Sequence, residues 1–589
     1  MLDYKRASVK ITLGGVLLTA AFLRFWYLIE LQGNPLPYFV TQHSTFDEYR
    51  FMSLALEFVR GNWLGSHATF YSPGYSYLIA ALFTFFPQTI NTVFIFQILL
   101  GLMAVYILYR SACLLFEDRA VGLVSAAIAA VYAPFIFYEC QVLRSCVITY
   151  SSLFGFYFLL RGWKKGRMKD LLCAGGMMGL STVVQPNALP LFIVPGLVVG
   201  KSRRNQGRIR GVLLFLLGMA ILVLPLMLRN LAVGGEFVIS SQGLEVFWQG
   251  NAPDSSGVGL GGLETEKTLL EESQGSIAKA AKIFLEHIRL YPKQYLDLYS
   301  NKIKMFFNGY EIPQGLNFDL FREKTMALKI GLDFSLIGPF ALLGLFLMAG
   351  RYDGSRWLYG FSAILSLSVI LVHVLGRYRI PSVPYFILAA GYASVWLFYQ
   401  WRAKRWRALF FAFCFLGFLG FWMRPDQKII ERYMGYRIRS IDYGNLASAY
   451  RSQAQGKPSP QREVLLQKAS ENYGMACHLS KANEVVAGYQ FVRPIYWLRR
   501  AEVLAELGRS DEAFSCYAEA AKGFEEALKI SPGNVRVLTN LGHALGGLGR
   551  VEEAKAMFEE ALRIQPDDAE ARYNLGMVLE MLRRKEQTQ

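Results

Sequence analysis

Residues 11–31 read ITLGGVLLTAAFLRFWYLIEL, and this first apolar run decides the class of the fold. A segment of about 20 apolar residues is long enough to cross a lipid bilayer. The run is long and no small-residue cleavage site follows it, so we interpret it as an uncleaved first span rather than a signal peptide. The sequence therefore predicts a membrane protein whose first loop begins near residue 32.

The composition of the whole chain agrees with that class. Of its 589 residues, 53% are hydrophobic and 14% are aromatic. Such values favour a polytopic membrane protein over a soluble enzyme. The formal charge of +17 does not indicate nucleic-acid binding, because the lysines and arginines fall in short runs between apolar segments. The seven cysteines form no CxxC pair, which favours isolated thiols over a disulfide.

Eleven apolar runs are predicted to span the membrane. They lie near residues 11–31, 92–116, 120–138, 145–161, 170–185, 187–200, 212–232, 329–350, 357–375, 383–400 and 408–423.

A further apolar run at 73–87, PGYSYLIAALFTFFP, is short and is bracketed by two prolines. The distribution of charge decides whether it crosses. If it does not, the N-terminus and all four basic connectors lie on the cytoplasmic side, as the positive-inside rule requires. We therefore predict that 73–87 is an interfacial helix. The loop 32–91, the loop 233–328 and the C-terminal tail then share the outer face. The basic connectors are RGWKKGRMK (161–169), KSRRNQGRIR (201–210), RYDGSR (351–356) and WRAKRWR (401–407).

The C-terminal part contains a sequence repeat. Pro532 aligns with Pro566, and Asn540 with Asn574, a spacing of 34 residues. This period is typical of tetratricopeptide repeats, which form an α-solenoid. An upstream unit carries about two extra helical turns, and a degenerate copy is predicted to start at Tyr443.

The predicted fold class is all-α: a polytopic membrane helix bundle of about eleven spans followed by an α-solenoid. The segment 233–328 begins as a Gly-, Ser- and Asn-rich loop and continues as an amphipathic helix. This helix rests on the membrane surface or forms a solvated cap. The predicted divisions are 1–232, a membrane module with the external loop 32–91; 233–328, an external region; 329–424, further membrane helices; and 440–589, the repeat domain.

The first loop carries two adjacent carboxylates in the stretch HSTFDEYRFMSLALEFVRGNW, residues 43–63. Asp47 and Glu48 open an amphipathic helix, where negative charge stabilises the helix N-terminus. The alternative is chemical, because a carboxylate beside apolar walls has its charged form disfavoured and makes a better general base near neutral pH. Three further polar candidates for a substrate loop are His67, Tyr71 and Tyr75.

Two other segments on the predicted outer face carry charged residues that could act together with these carboxylates. Glu139 and Arg144 follow the third predicted span, and Arg377, Tyr378 and Arg379 lie in the turn between spans nine and ten. Paired guanidinium groups suit a phosphate, although interfacial snorkelling also places arginines there. A base, a second acid and an anion clamp fit the transfer of a sugar from a lipid phosphate to an acceptor.

These residues carry a resemblance to a known family. Four stretches, in this order, resemble the GT-C glycosyltransferases, in the branch of protein O-mannosyltransferases and the lipid A aminoarabinose transferase. They are FDEYRFMSLALEFVRGNW, YSPGYSYLIAALFTFF, QGLEVFWQGNAPDSSGVG and GRYRIPSVPYFILAAGY.

The resemblance implies an inverting glycosyltransferase that acts on a polyprenyl-phosphate sugar at the external or periplasmic face. Asp47 matches the first acidic position of the family and is expected to be the base, with Glu48 beside it. Arg377, with Tyr378 and Arg379, matches the phosphate-binding turn.

Three positions are less closely matched. Glu139 lies in the loop of the second acidic position, but many members carry that carboxylate a few residues later. Gln185 stands where bacterial members often have a basic residue. Asn251 belongs to the Gly-Asn loop and is a further candidate for the substrate loop.

Apart from the lipid-linked sugar donor, no cofactor is expected. His43, Asp47, Glu48 and His67 could in principle hold a divalent metal, but their spacing is loose. The expected partners are the polyprenyl-phosphate sugar, membrane lipids, a protein, lipid or glycan acceptor, and a protein bound by the repeats. No nucleic-acid partner is expected.

Three other functions remain open from the sequence. An O-antigen ligase or polymerase would use a diphosphate-linked donor. A membrane-anchored repeat scaffold would need none of the outer charges, and a transporter would show repeated span patterns or charges at mid-membrane depth.

Overall fold

The computed structural model is α-helical. It describes residues 2–65, 71–193, 205–258, 263–352, 354–425, 430, 438–480 and 492–588. Within these residues no strand occurs, and the only β-type pairing is an isolated bridge between Tyr132 and Leu332. The predicted all-α class, with apolar helices followed by helical repeats, is confirmed.

The chain divides into two compact units. One comprises Met1–Asn34 and Val40–Ile429, and the other comprises Pro35–Phe39 and Ile430–Gln589. We call them the membrane unit and the repeat unit. The finer divisions at 232, 328 and 424 stay predictions.

The helices before residue 430 include two 3-10 segments, Pro186–Phe192 and Ile380–Ser382. The α-helices are Leu2–Leu31, Leu36–Val40, Asp47–Val59, Gly74–Phe85, Ile90–Phe116, Arg119–Ala130, Ala133–Glu139, Ser145–Lys165, Met168–Val184, Asn205–Gly234, Gly243–Asn251, Leu263–Ser273, Ile277–Leu290, Pro292–Phe307, Phe318–Lys324, Met326–Lys329, Phe334–Met348, Ser355–Ile370, Gly376–Arg379, Val383–Arg402 and Trp406–Met423.

Five segments of the described chain are long and apolar enough to cross a membrane, and three further apolar helices are shorter. The exact number of spans therefore stays a prediction. The five are Val9–Leu31, Ile90–Phe116, Ile209–Gly234, Gly376–Arg402 and Trp406–Met423. The shorter ones are Gly74–Phe85, Arg119–Ala130 and Phe334–Met348.

The run at 73–87 forms the helix Gly74–Phe85, which we call the interfacial helix. Its 12 residues reach only about 18 Å, whereas the hydrocarbon core of a bilayer is about 30 Å thick. It packs against the helix Asp47–Val59, which we call the loop helix. Its length fits the prediction that this run does not cross.

The predicted span 120–138 is interrupted, which corrects the expectation of one continuous helix. Arg119–Ala130 and Ala133–Glu139 are separate helices. At the break, the amide of Ala133 donates to the carbonyl of Leu332 at 2.8 Å, and the amide of Leu332 donates to the carbonyl of Val131 at 2.8 Å. Irregular backbone is tolerated inside a membrane protein when neighbouring protein groups satisfy it in this way.

The predicted span 187–200 also departs from a regular helix. Residues 186–192 form a 3-10 helix that contains Pro186 and Pro190. Proline lacks an amide donor and clashes with the preceding turn of an α-helix. Residues 194–200 lie outside the described part of the chain, so the rest of this prediction is not tested.

Glycines let two helices of the membrane unit, Met168–Val184 and Asn205–Gly234, pack closely together. A Cβ added at Gly175 would lie 1.8 Å from the carbonyl oxygen of Phe215, and one at Gly218 would lie 2.2 Å from that of Leu172. Small residues that let backbones approach are the usual means of packing membrane helices.

The repeat unit is a series of helix pairs with apolar clusters between them. Its helices after residue 430 are Ser440–Ala454, Ser459–Leu479, Val492–Glu506, Ser510–Ile530, Val535–Gly547, Val551–Ile564 and Ala569–Thr588. Consecutive helices pack together. Ser510–Ile530 has 21 residues against 14 in Val551–Ile564, which accounts for the two extra turns predicted upstream. Buried residues such as Leu498, Phe524, Leu541 and Phe558 close the core between the helices.

Candidate active site

A polar cavity of about 490 Å³ opens in the membrane unit. Its volume is in the range of small-molecule sites. The walls come from three separate parts of the sequence: the first loop, the region 233–328 and the turn around residue 377. The lining residues are Asp47, Arg50, Tyr71, Gln242, Glu245, Val246, Gln249, Gln314, His373, Arg377 and Tyr378.

Asp47 and Arg377 form an ion pair at the wall of this cavity. Arg377 Nη2 lies 2.8 Å from Asp47 Oδ2, and both side chains are largely buried. The same Nη2 donates to Gln314 Oε1 at 2.6 Å and to the Tyr378 hydroxyl at 3.3 Å. Arg377 Nε is buried and has no hydrogen-bond partner among the described residues. The Arg377 side chain lines the cavity, so an anion bound there could compete with Asp47 for its guanidinium.

Cations hold Asp47 in its charged form. Burial by itself raises the pKa of the Asp47 carboxyl, but the charges of Arg377 and Arg144 more than offset this, and the net pKa is lowered. Hydrogen bonds from Arg377 and Tyr71 act in the same direction. The expectation that apolar walls would raise the pKa of Asp47 is therefore wrong, because two arginines from distant segments face it.

The apolar environment that was expected to raise the pKa of Asp47 is found instead at Glu48. Its side chain is buried, 2% exposed, and Oε1 lacks a hydrogen-bond partner among the described residues. Burial, together with the charge of Asp47, raises the pKa of Glu48 from 4.5 to about 7. Glu48 does not line the cavity. It lies behind Asp47 as a carboxyl that is protonated below neutral pH.

Aromatic and basic residues surround the acidic pair. Arg144 lies over the rings of Phe51 and Tyr71, at 5.3 and 5.4 Å from the ring centres. Arg50 donates to the Tyr71 hydroxyl at 3.2 Å. Burial and the charge of Asp47 raise the pKa of Tyr71 to about 12, so its hydroxyl stays a hydrogen-bond donor. Tyr71, a predicted substrate-loop residue, thus lies at the cavity.

The structure does not bring Arg379 to the cavity. Its guanidinium is 1% exposed, pairs with Glu311 at 2.5 Å and donates to the carbonyls of Phe306 and Asn308. It also lies 4.3 Å from the ring centre of Phe334. These contacts give Arg379 a structural role in this arrangement.

Glu139 is likewise occupied by a buried partner. Its carboxylate lies 2.8 Å from Arg24 Nε, with both side chains 0% exposed, and it accepts a hydrogen bond from Tyr150. A charged group within a membrane span needs such a partner, so this pair explains Arg24 in the first apolar run.

The remaining predicted residues lie away from the cavity or outside the described chain. Tyr75 is buried and donates to Gln97 Oε1 at 3.1 Å. Asn251 is 0% exposed and fixes the region 233–328 to the turn at 371, since its Nδ2 donates to the Leu371 carbonyl at 2.9 Å. Its Oδ1 accepts from Lys302 Nζ at 2.8 Å. His67 lies outside the described residues.

Seven of the lining residues were not predicted from the sequence: Arg50, Gln242, Glu245, Val246, Gln249, Gln314 and His373. Three of them, Gln242, Glu245 and Gln249, are three or four residues apart at the helix Gly243–Asn251 and so fall on one helix face. This spacing is visible in the sequence and could have indicated them. Arg50 lies one turn after Asp47 on the loop helix, which is also visible in the sequence.

In the described part of the chain, no group of three or more His, Cys, Asp or Glu side chains could hold a metal ion. The candidate set that includes His67 falls partly outside that part, so its test is incomplete.

Comparison with protein families gives two matches. Residues 67–228 match a family described as dolichyl-phosphate-mannose-protein mannosyltransferase. Residues 493–567 match tetratricopeptide repeats, which confirms the predicted repeats over that segment. No curated protein sequence matches the chain.

Three solved structures give weak structural similarity. The oligosaccharyltransferase of Archaeoglobus fulgidus in the apo form is 10% identical, with a TM-score of 0.41, over 77% of this chain and 59% of that one. AglB of the same organism, in complex with an inhibitory peptide and a dolichol-phosphate, is 13% identical, with a TM-score of 0.41, over 85% and 59%. ArnT from Cupriavidus metallidurans, bound to undecaprenyl phosphate, is 13% identical, with a TM-score of 0.40, over 93% and 80%.

The chain thus spans about 59% of the archaeal oligosaccharyltransferase, and likeness at this level supports no argument about substrates. The match at residues 67–228 confirms, over that segment, the resemblance that the sequence motifs predicted.

Proposed function

We propose that the chain transfers a sugar from a polyprenyl-phosphate donor to an acceptor on the external or periplasmic face of the membrane. The acceptor is a protein, lipid or glycan, and the reaction inverts the configuration at the sugar carbon that reacts. The observation that carries the proposal is the Asp47–Arg377 ion pair at the wall of a polar cavity of about 490 Å³.

The ion pair suits a site that receives an anion. Before the donor binds, Asp47 neutralises Arg377 within a largely buried environment. A donor phosphate supplies negative charge of its own, and the guanidinium groups of Arg377 and Arg50, which line the cavity, can bind it. Asp47 then shares its counter-ion with the phosphate, so the pKa of its carboxyl rises and the carboxylate becomes a better base.

The chemical step follows from these positions. The acceptor nucleophile gives its proton to the Asp47 carboxylate and attacks the sugar carbon from the side opposite the phosphate. The bond from that carbon to the phosphate oxygen breaks, and its electron pair leaves with the phosphate. Arg377 stabilises the charge that develops there.

The other predicted residues are proposed to support this site rather than react. Tyr71 orients Asp47 through its hydroxyl, and Tyr378 lies beside Arg377. Glu139, Arg379, Tyr75 and Asn251 keep their buried partners and hold the surrounding helices. The repeats are proposed to bind a protein, which is either the acceptor or a partner.

The test is consumption of the lipid donor, followed by mass spectrometry. Purified protein is incubated with polyprenyl-phosphate sugars, and the wild type is compared with Asp47→Asn. We expect the wild type to consume one donor and the variant to be slower by about 10²–10⁴-fold, the usual contribution of a general base. Glu57→Gln is the matched control, because Glu57 is an exposed carboxylate on the same helix.

Three results would change the proposal. Equal consumption by the wild type and Asp47→Asn would remove Asp47 from the base role while keeping the activity. Consumption of diphosphate-linked donors alone would favour the ligase-like alternative. No consumption of either donor class would favour the scaffold alternative.

A further inference from the structure

Two consecutive helices, Ile277–Leu290 and Pro292–Phe307, have no part in the mechanism above. We call them the amphipathic pair. They pack together through Phe284 and Tyr295, whose ring centres lie 5.5 Å apart. The first of them also shares an apolar cluster with the helix Gly243–Asn251, which carries one wall of the cavity. Whatever fixes the pair in place therefore also steadies this wall.

Each helix of the pair carries apolar side chains on two sides. One side packs inward, with Ala280 of the first helix and Phe306 of the second both buried. The other side is open, and its residues are spaced about two turns apart on each helix, so that they share a face. A row of large exposed apolar side chains marks a contact surface, whereas single ones are common on any protein. This face, which we call the open stripe, consists of Ile277 at 78% exposure, Leu285 at 56%, Leu296 at 72% and Ile303 at 42%.

The C-terminal end of the second helix meets the end of a membrane helix, Trp406–Met423. The ring centre of Phe307 lies 5.9 Å from that of Trp422, and the Gly309 amide donates to the Met423 carbonyl at 2.7 Å. Tryptophan at the end of a span is typical of the membrane–water interface. This end of the second helix therefore lies at the height where a membrane helix leaves the bilayer.

The N-terminal half of the same helix is bound to a second helix end. The hydroxyls of Tyr295 and Tyr299 donate to the carbonyl and the side-chain oxygen of Asn251, at 3.0 and 2.8 Å. Asn251 Nδ2 in turn donates at 2.9 Å to the carbonyl of Leu371, the residue that ends the helix Ser355–Ile370. The second helix of the pair is thus held near both of its ends.

Both of these helix ends lie on one side of the membrane. The helices Ser355–Ile370 and Trp406–Met423 are separated in the chain by one membrane helix, Val383–Arg402, which brings the chain back across the bilayer. Tyr295 and Phe307 are 12 residues apart, about 18 Å along a helix. A helix tied to two span ends over that distance runs along the surface of the bilayer rather than away from it.

The cations of the amphipathic pair lie closer to the open stripe than its acids do. This order follows from the turn of an α-helix, about 100° per residue. Basic side chains beside an apolar face keep their stems on apolar surface and carry their charge to the level of lipid headgroups. The four flanking cations are Lys282, Arg289, Lys293 and Lys304, and the two acids of these helices are Glu286 and Asp297.

We propose that the amphipathic pair lies on the bilayer surface at the cavity side of the membrane, with the open stripe among the outer acyl carbons and the four flanking cations at the phosphates of anionic phospholipids. The stripe leads to the bilayer, because Phe307 lies one turn beyond Ile303 on the same face and contacts Trp422, which is exposed at the end of its membrane helix. This continuity favours lipid over a protein partner. An amphipathic helix binds such a surface through its buried apolar area and through attraction of its cations to anionic lipids.

The depth of the stripe in the bilayer tests this placement. The full chain, freed of its seven native cysteines, is given one cysteine by Leu285→Cys or Leu296→Cys, labelled with an environment-sensitive fluorophore and reconstituted in nanodiscs of phosphatidylcholine and phosphatidylglycerol. Lipids brominated on their acyl chains should reduce the fluorescence at both positions about two-fold or more. Lys279→Cys and Gln294→Cys are matched controls, because these exposed residues lie on the far side of the same helices, and their fluorescence should not change.

The charge of the lipid is tested with the same label at Leu296→Cys. Lowering the phosphatidylglycerol fraction to zero should weaken the quenching when the four flanking cations are present. It should have no effect when all four are replaced by glutamine, whereas Lys279→Gln should keep the dependence on phosphatidylglycerol. Equal quenching at every lipid composition would overturn the role of the cations.

Two results would overturn the placement itself. Unquenched labels at both stripe positions would show that the stripe stays outside the bilayer, and a dimer found by mass photometry of the same nanodiscs would then assign it to a second copy of the chain. Quenching at the control positions as strong as that at the stripe would show that the pair enters the bilayer without a preferred face. Neither measurement depends on donor turnover, so the proposed function can fail while this inference holds.

Discussion

At the scale of single residues, Asp47 and Glu48 show how adjacent carboxylates take opposite states. Asp47 faces Arg377 and Arg144 and has a lowered pKa. Glu48 has a raised pKa, because burial and the charge of Asp47 outweigh the smaller effect of Arg377. Sequence reasoning placed both at the start of one helix. It could not assign their states, because the arginines that decide them come from other segments and meet Asp47 only in the folded chain.

Glu48 is expected to make the stability of the membrane unit depend on pH. Its pKa rises from 4.5 to about 7 on folding, so the folded state binds the proton more tightly than the unfolded state. Stability is then fully present below about pH 4.5 and is lost progressively as pH rises towards 7. At about 1.4 kcal/mol per pH unit, the loss is about 3 kcal/mol.

Thermal unfolding of Glu48→Gln tests this dependence. The variant cannot ionise, so its Tm should equal that of the wild type at pH 4.5 and exceed it at pH 8. Glu57→Gln, on the exposed side of the same helix, should follow the wild type at both values. A wild-type stability that does not fall between pH 4.5 and 7 would contradict the buried position of Glu48.

Substitutions of the two arginines of the turn, Arg377 and Arg379, are expected to affect different properties of the protein. Arg379→Gln leaves Glu311 buried without its cation, which should lower the free energy of unfolding by about 3–5 kcal/mol. Arg377→Gln removes a charged contact to the donor, worth about 1.5–3 kcal/mol, so donor affinity should fall about 10–100-fold.

Binding and thermal unfolding measured on both variants separate these roles. Arg377→Gln is expected to keep a Tm close to that of the wild type, because Asp47 at the cavity wall is still reached by water. Weakened donor binding by a folded Arg379→Gln protein, at unchanged Tm, would restore Arg379 to the phosphate site that the sequence motif suggested.

At the scale of elements, apolar run length predicted helices well but predicted their breaks poorly. The helices at 74–85 and 47–59 lie where the sequence placed them. The break between residues 130 and 133 was missed because it depends on a backbone pairing with Leu332, which no local pattern encodes.

The contact between the helix Gly243–Asn251 and the turn at 371–373 is expected to control the shape of the cavity. A Cβ at Gly250 would lie 1.9 Å from the Val372 carbonyl oxygen, whereas one at Gly243 meets nothing within 4 Å. Gly250→Ala should therefore separate the helix from the turn and reduce donor consumption at least 10-fold. Gly243→Ala, on the same helix, should retain activity.

Donor consumption and Tm of the two alanine variants test this element. The fall in activity of Gly250→Ala should exceed any fall in Tm, because the clash displaces Gln249 and His373 from the cavity wall. Full activity of Gly250→Ala would mean that the helix can move without disturbing the site.

A second pair of glycines tests the packing of the membrane helices. Gly175→Ala places a Cβ 1.8 Å from the Phe215 carbonyl oxygen, whereas Gly176→Ala places one at 3.9 Å from that of Gly218. The first should lower the free energy of unfolding by about 1–3 kcal/mol through overpacking, and the second should leave it nearly unchanged. Unfolding of both variants in the same detergent makes the comparison, and equal stability would show that these helices can separate without cost.

At the scale of the whole molecule, the sequence predicted the two-part architecture because each part has its own signal. Long apolar runs mark the membrane unit, and a 34-residue period marks the repeats. The cavity was not predictable at this scale, since its walls come from three segments whose meeting depends on tertiary packing. The distribution of Lys and Arg along the chain also predicts on which side of the membrane each connecting segment lies.

Sidedness follows from where the basic connectors fall. Since Lys and Arg are kept on the cytoplasmic side, the N-terminus and the connector 161–169 should be cytoplasmic, and the region 233–328 and the repeats should be external. Single cysteines at the exposed positions Lys165, Lys279 and Ser459, in a chain freed of its seven native cysteines, report each side. In intact cells a membrane-impermeant maleimide should label the cysteines at 279 and 459 but not the one at 165, which should react only after lysis. Labelling of the cysteine at 165 in intact cells, without labelling at 279, would place Asp47 on the cytoplasmic face and remove the proposed external reaction.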